Sequence, residues 1–253
     1  RGLAGPLLAF VVRGIARQKG GIHLLVADDR DDASYLCNDL INIAGEDFPG
    51  AILFYPTAYK RSVQTRREDP AGIVQRTAVL TALAGSCESG KPLIVCTYPE
   101  ALVERVADRQ KLAENTLRVR KGERIGMDEL ERQLVDYRFE HVDFVAEPGQ
   151  YARRGGIIDL FSFGDNKPYR IDFFGDEIEL IRLFNVGTQL STETRDEIEI
   201  IPNLKNPELA EKRVSLPEYI GPGEVTLWMT NPVHFLGRLD QIRTKLLGEL
   251  DEP

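Results

Sequence analysis

The stretch Ile22-His23-Leu24-Leu25-Val26-Ala27-Asp28-Asp29 is a short apolar run that ends in two acidic residues. An apolar run of this length without alternation is typical of a parallel strand that is buried on both faces. Apolar residues recur at helical spacing in residues 6–18 before the run and in residues 34–41 after it. Asp31 or Asp32 is predicted to cap the second helix. The order of helix, strand and helix indicates an α/β fold around a parallel sheet.

The same alternation continues along the chain and returns after residue 203. The predicted elements are a strand at 51–55, a helix at 73–83, a strand at 93–97, a short helix at 99–106, a strand at 225–229 and a helix at 233–247. Only a short basic loop is predicted between Tyr55 and Ile73. These elements extend the α/β domain on both sides of a segment with a different pattern.

The middle of the chain has the pattern of an antiparallel sheet. A helix is predicted at 128–135, and strands without intervening helices are predicted at 142–145, 156–163, 169–174 and 178–184. Gly175-Asp176 is a two-residue connection of the kind that hairpins favour. We therefore predict three segments. They are the first part of the α/β domain at 1–118, an inserted α+β domain at 119–202, and a return segment at 203–253 that completes the α/β domain.

The composition is that of a folded protein with an acidic balance. Among 253 residues, 42% are hydrophobic and 28% are charged, and the formal net charge is −8. This balance disfavours a protein that binds nucleic acid with its whole surface but permits a local basic patch. The apolar runs are far shorter than the roughly 20 residues of a membrane span, so no membrane contact is predicted. Three scattered cysteines suit a reducing, cytoplasmic location, and the abrupt ends indicate a piece of a longer protein.

One stretch imitates a phosphate-binding loop. Gly85-Ser86-Cys87-Glu88-Ser89-Gly90-Lys91 matches the pattern G-x-x-x-x-G-K, but Pro92 stands where a Ser or Thr hydroxyl would hold magnesium. The stretch also follows a predicted helix and precedes a predicted strand, the reverse of the order that aims free amides at a phosphate. We interpret it as a polar turn.

No catalytic or metal site is predicted. His23, His141 and His234 lie in unrelated segments without Cys or carboxylate partners at metal-ligand spacing. The acidic cluster at 28–32 could bind a divalent cation, but a strand-to-helix turn capped by Asp explains it without one. The sequence also has no G-x-S-x-G nucleophile motif, and no Cys has a His or Lys neighbour that would activate it.

Strand alternation in residues 169–174 places Arg170, Asp172 and Phe174 on one face and three apolar residues on the other. Arg beside Phe on a sheet face is the composition of a binding hot spot. Arg153 and Arg154 come before the preceding strand, where an antiparallel partner would bring them near Arg170. Two interpretations stay open, a protein interface and a solvated face on which Arg170 and Asp172 pair.

Several motifs in order resemble a known family. They are Glu147-Pro148-Gly149-Gln150-Tyr151-Ala152-Arg153-Arg154-Gly155-Gly156-Ile157-Ile158-Asp159-Leu160-Phe161, Pro168-Tyr169-Arg170-Ile171-Asp172-Phe173-Phe174-Gly175-Asp176-Glu177-Ile178 and Thr188-Gln189-Leu190-Ser191. Together they resemble the N-terminal region of the bacterial transcription-repair coupling factors (Mfd), which is similar to the nucleotide excision repair protein UvrB. The resemblance covers most of residues 1–202, and the tail from Asn203 matches mainly in the order of its elements.

The resemblance implies a degenerate RecA/UvrB-like α/β domain that is interrupted by a UvrA-binding domain. The stretch Gly2-Leu3-Ala4-Gly5-Pro6-Leu7-Leu8 corresponds to the phosphate loop of UvrB but lacks its Lys and its Ser or Thr. This fragment is therefore expected to bind neither ATP nor magnesium and not to be an enzyme. The long aromatic-rich hairpin with which UvrB grips DNA is also expected to be absent.

The UvrA-contacting residues of the family fall on Arg154, Arg170 and Phe174, with Arg153 and Asp172 as possible additions. The resemblance implies a module that recruits UvrA and so couples removal of stalled RNA polymerase to nucleotide excision repair. In the full-length protein, an ATP-dependent DNA translocase, downstream domains would supply the ATP and magnesium sites and the contacts with RNA polymerase and double-stranded DNA. An intramolecular C-terminal domain would mask the UvrA face.

Two rival functions remain open. One is a UvrB-like helicase fragment that binds ATP and DNA, against which the missing Lys in residues 2–8 argues. The other is a nucleic-acid-binding module that uses the basic loop with Lys60, Arg61, Arg66 and Arg67.

Overall fold

The computed structural model describes residues 6–45, 47–61, 66–68, 70–165, 167–203, 212–223 and 225–250. The predictions for residues 1–5, for the tip of the basic loop at 62–65 and for residues 204–211 therefore lie outside the described residues. The chain divides into two compact units, residues 1–105 with 215–253, and residues 106–214. The inserted domain predicted at 119–202 lies within the second unit.

Helices and short strands alternate through the described residues. The helices are α1 (Leu7–Lys19), α2 (Arg30–Ala44), α3 (Pro70–Ser89), α4 (Pro99–Val103), α5 (Arg109–Glu114), α6 (Met127–Asp136), α7 (Leu216–Ile220) and α8 (Pro232–Leu250). The strands are β1 (Ile22–Val26), β2 (Ala51–Phe54), β3 (Tyr59–Arg61), β4 (Arg66–Glu68), β5 (Leu93–Thr97), β6 (Val106–Ala107), β7 (Leu117–Arg120), β8 (Glu140–His141), β9 (Gln150–Arg154), β10 (Ile157–Leu160), β11 (Tyr169–Phe174), β12 (Glu177–Phe184), β13 (Ser191–Arg195), β14 (Glu197–Ile200), β15 (Arg213–Val214) and β16 (Val225–Met229).

The first unit is built on a parallel sheet of four strands in the order β16-β1-β5-β2. Every residue of the two central strands, β1 and β5, is buried, as the unbroken apolar runs predict. One core cluster unites small residues of α1, two residues of α2 and side chains of the sheet. Its buried members are Ala9, Val12, Ala16, Leu25, Cys37, Leu40, Ile94 and Cys96. The predicted α/β class with a parallel sheet is confirmed.

Local details of this unit differ from the predictions. Asp29, and neither Asp31 nor Asp32, caps α2: its Oδ1 accepts a hydrogen bond from the Asp32 amide at 2.9 Å. The extended backbone of Asp29 lets its carboxylate reach this free amide of the first turn, so the helix begins at Arg30. The predicted helix at 99–106 ends at Val103, and residues 106–107 form β6 of the second unit.

The segments around α3 also differ. α3 begins at Pro70 and extends to Ser89, beyond the predicted 73–83, so most of the phosphate-loop-like stretch is helical. Gly90, with a φ of +61°, follows the end of the helix. The predicted basic loop instead contains two three-residue strands, because β3 pairs antiparallel with β4.

The second unit contains a six-stranded sheet in the order β13-β12-β11-β10-β9-β8, antiparallel except for the pair β8 and β9. The predicted strands at 169–174 and 178–184 are confirmed by β11 and β12. The predicted strand at 142–145 is wrong, and β10 is shorter than the predicted 156–163. Val145 is buried in a cluster with Ala152, Phe161 and Phe184, and its carbonyl oxygen accepts a hydrogen bond from Gln189. Together with a backbone hydrogen bond from Val142 to Tyr151, these contacts hold the segment without a strand.

No helix among the described residues is long and apolar enough to span a membrane.

His23 is an internal hydrogen-bonding group of the parallel sheet. Its ring is fully buried, Nε2 lies 3.0 Å from the carbonyl oxygen of Gly20, and Trp228 donates its indole N–H to Nδ1 at 3.2 Å. These two contacts require the neutral ring with its proton on Nε2. Burial lowers the pKa of His23 from its ordinary value of 6.5.

We expect acid to destabilise the first unit through His23. Because the unfolded chain binds a proton more readily than the folded one, the free energy of unfolding falls as the pH drops below about 6.5. The fluorescence of Trp228, the only tryptophan, would follow urea unfolding of this unit between about pH 5 and pH 8. His23→Gln is expected to flatten this pH dependence, whereas the control His234→Gln, at an exposed position, should keep it. An unchanged slope in His23→Gln would contradict the assignment.

Candidate protein-binding site

One face of the antiparallel sheet carries most of the predicted binding residues. Residues that lie directly opposite in paired strands share a face. Arg154 lies opposite Ile157, and Ile157 lies opposite Asp172. Alternation along β11 then places Arg170 and Phe174 on the face of Asp172. The structure therefore brings Arg154, Arg170, Asp172 and Phe174 onto one face, called the arginine face below.

The centre of the arginine face is a carboxylate that sequence reasoning missed. Asp159 on β10 is fully buried, with 0% of its surface exposed. Its Oδ1 accepts a hydrogen bond from Nε of Arg170 at 2.7 Å, and its Oδ2 accepts one from Nη2 of Arg170 at 2.8 Å. Nη2 of Arg154 also donates to Oδ2, at 2.6 Å. The one available signal was an acidic residue within an apolar strand, Ile157-Ile158-Asp159-Leu160.

Arg170 is held from several sides. Its side chain is 17% exposed, its Nη1 donates to the carbonyl oxygen of Gln189 at 3.2 Å, and its guanidinium lies 4.8 Å from the ring centre of Phe184. The hydrogen bonds to Asp159 raise the pKa of Arg170. All three of its nitrogen atoms therefore have partners inside the chain.

The possible pairing of Arg170 with Asp172 does not occur. Asp172 instead accepts hydrogen bonds from Arg182 on β12, whose Nη2 lies 2.6 Å from Oδ2 and whose Nε lies 3.2 Å from the same atom. The reason is the cross-strand register, because Arg170 lies opposite Asp159. Asp172 thus belongs to a second, closed ion pair on the same face.

Arg154 is the more open of the two cations on Asp159. Its side chain is 44% exposed, and its guanidinium carbon lies 5.0 Å from the ring centre of Phe144. Phe144 is itself 63% exposed. A guanidinium over an aromatic face is attracted by the ring quadrupole, so Phe144 supports Arg154 from one side.

Phe174 is the most exposed aromatic residue described on the arginine face, at 80%. It ends β11, lies opposite Glu177, and precedes the two-residue turn that begins at Gly175. Gly175 has a φ of +63°, which favours glycine and makes the tight connection possible. The hairpin therefore presents an apolar ring to solvent beside the arginines.

Arg153 lies on the opposite face, because it pairs with Ile158 rather than with a residue of the arginine face. Its Nη1 donates to Asp128 and to Glu131 of α6, both at 2.6 Å. These hydrogen bonds, first of all the one to Glu131, raise the pKa of Arg153. The structure thus separates Arg153 from Arg154 and uses it to fasten α6 to the sheet.

The other candidate sites have structural roles. In the part of the chain that the structure describes, no group of three or more His, Cys, Asp or Glu side chains could hold a metal ion. The acidic cluster at 28–32 includes the helix cap Asp29, and Asp28 accepts a hydrogen bond from Thr230 at 2.7 Å. Cys37 and Cys96 are buried thiols in the core of the first unit.

The chain is similar to known proteins in two ways. The sequence model of the family described as UvrB interaction domain matches residues 117–205, which include the whole arginine face. The transcription-repair-coupling factor of Escherichia coli K12 is 42% identical over 200 residues, 79% of this chain and 17% of that protein.

More distant relatives carry the same name. The transcription-repair-coupling factor of Haemophilus influenzae is 29% identical over 194 residues, 77% of this chain and 16% of that protein. That of Bacillus subtilis 168 is 27% identical over 202 residues, 79% of this chain and 16% of that protein. The chain thus spans about one sixth of the length of these relatives. By these matches, the chain is similar to the N-terminal sixth of the transcription-repair-coupling factors in length and sequence, and its residues 117–205 match the family described as UvrB interaction domain.

Proposed function

We propose that this chain is a UvrA-recruiting module of a transcription-repair coupling factor. The observation that carries the proposal is the arginine face, where Arg154 and Phe174 are exposed inside the segment that matches the UvrB interaction domain. The resemblance to the family assigns UvrA contacts to Arg154, Arg170 and Phe174, and the first and last of these reach solvent.

The chemistry of this face suits a protein partner. Because 80% of Phe174 is exposed, its ring contributes little to the core. In a pocket of the partner, however, it would bury a large apolar area. Arginine and aromatic side chains dominate binding energy at interfaces, and a guanidinium can make charge-assisted hydrogen bonds with a carboxylate of UvrA. The partner surface is therefore expected to combine an apolar pocket with acidic groups.

The first unit is proposed to be a degenerate RecA/UvrB-like domain without a working ATP site. Support comes from its parallel sheet with flanking helices and from residues 2–8, which lack the Lys and the Ser or Thr of a phosphate loop. In this proposal the fragment binds a protein and catalyses no reaction.

The remaining activities belong to the proposed full-length protein. As in the family that the chain resembles, downstream domains would bind RNA polymerase and double-stranded DNA and would translocate on DNA with ATP and magnesium. A C-terminal domain would mask the arginine face within the same molecule, and the protein would act in the cytoplasm. The module would then deliver UvrA to sites of stalled transcription.

Loss of the exposed aromatic ring should weaken the complex with UvrA. We expect Phe174→Ala to cost about 2 kcal/mol of binding free energy, because the ring would leave a desolvated pocket empty. Isothermal titration calorimetry with purified UvrA measures the effect, and circular dichroism verifies the fold. Phe10→Ala, at an exposed position of α1, is the matched control and should leave the affinity unchanged. Equal affinities of wild type and Phe174→Ala would refute the assignment of this residue.

Removal of the open cation should also weaken binding. We expect Arg154→Ala to cost about 1.5 kcal/mol, the lower end of the usual contribution of a hydrogen bond to a charged group. The matched control is Arg118→Ala, an exposed arginine on β7 that pairs with Glu199 outside the six-stranded sheet. A loss of affinity that is equally large in Arg118→Ala would point to general electrostatic attraction instead of a local contact.

The proposal also predicts that this chain does not bind ATP. Equilibrium dialysis with ATP and magnesium should show no saturable binding, whereas UvrB measured in parallel should bind. Saturable binding by this chain would contradict the degenerate site and favour the alternative of a UvrB-like helicase fragment.

A further inference from the structure

The two arginines that share Asp159 are not equivalent. Arg170 uses all three of its nitrogen atoms within the chain, and only 17% of its side chain is exposed. Among the described residues, Arg154 makes a hydrogen bond only through Nη2, which leaves Nε and Nη1 for another acceptor. Arg170 keeps one N–H on each of Nη1 and Nη2, but its low exposure leaves little room for a partner to reach them, whereas the free Nε and Nη1 of Arg154 belong to a side chain that is 44% exposed.

We propose that Asp159 is a positioning residue that acts through Arg154. It fixes the Arg154 guanidinium in place to receive a carboxylate of the partner, while Arg170 is an internal cation that stabilises the buried Asp159. This inference rests on the proposed binding of UvrA, and it assigns recognition of the acidic group to one arginine instead of two.

The charge balance supports this assignment. Asp159 is one anion between two cations, and the neighbouring pair of Asp172 and Arg182 is already balanced. The cluster of Arg154, Asp159 and Arg170 therefore retains one positive charge in excess, and its most exposed member is Arg154. A single carboxylate from the partner would balance the cluster.

The geometry also explains why a carboxylate is needed at position 159. Oδ2 of Asp159 accepts hydrogen bonds from both arginines, and Oδ1 accepts one from Arg170. With Phe144 against its guanidinium at 5.0 Å, Arg154 is held before the partner arrives. A side chain that is already ordered loses less entropy on binding. An amide at position 159 would place an N–H₂ group against one of the donors and would release Arg154.

A double-mutant cycle on UvrA affinity tests the proposal. Asp159→Asn and Arg154→Ala should each weaken binding by about tenfold, because each removes the same oriented contact. The double variant should bind about as weakly as either single variant, because Asp159 has nothing to position once Arg154 is gone. Losses that multiply to about a hundredfold in the double variant would overturn the inference.

A second cycle separates positioning from general damage to the face. Phe174→Ala should weaken binding by the same factor in the Asp159→Asn background as in the wild type. If the effect of Phe174→Ala disappears in that background, Asp159 maintains the whole face and the positioning role is refuted. If folded wild-type chain does not bind UvrA at all, the proposed function fails and this inference fails with it.

A conservative variant keeps the test open should Asp159→Asn not fold. Arg154→Lys preserves the charge but loses the planar group that can bind Asp159 and a second carboxylate at once. We expect it to weaken binding nearly as much as Arg154→Ala. Affinity at the wild-type level in Arg154→Lys would show that an unoriented charge is sufficient and would overturn the inference.

Discussion

The buried carboxylate of Asp159 is the constraint on which the second unit depends. An anion without solvent is costly unless cations and hydrogen bonds surround it, and here β9 and β11 each supply an arginine. A one-residue slip of β10 would turn Asp159 to the opposite face of the sheet. That face is apolar and dry, because Ile158 and Leu160 are fully buried there. The register of three strands and the chemistry of the exposed face are thus set by the same ion cluster.

The opposite face of the sheet shows how alternation divides neighbouring residues between tasks. Arg153 and Arg154 are adjacent in sequence, yet one binds carboxylates of α6 and the other binds Asp159. Leu130 and Leu134 of α6 are buried, so the helix is held by apolar packing along its length and by Arg153 at its exposed side.

Much of the fold could be predicted because its signals are local. The unbroken apolar runs of β1 and β5 reflect burial on both faces of a sheet. The alternation in β11 reflects burial on one face only. β9 was missed because Gln150–Arg154 is largely polar, although it pairs with β10 across the short connection Gly155-Gly156. The family resemblance assigned the UvrA contacts to Arg154, Arg170 and Phe174. Of these three, strand alternation placed only Arg170 and Phe174 on a common face. The role of Asp159 depends on which strand lies opposite which, and no spacing within one segment contains that information.

Stability and recognition are coupled to different degrees across the arginine face. Arg170 and Asp159 lie within the sheet, so a change there alters both the folding energy and the position of Arg154. Phe174 and Phe144 extend into solvent at positions where they add little to the core. Substitutions at Phe144 and Phe174 can therefore change the affinity for a partner without loss of the fold. The orientation of Arg154, in contrast, depends on the same ion cluster that sets the strand register.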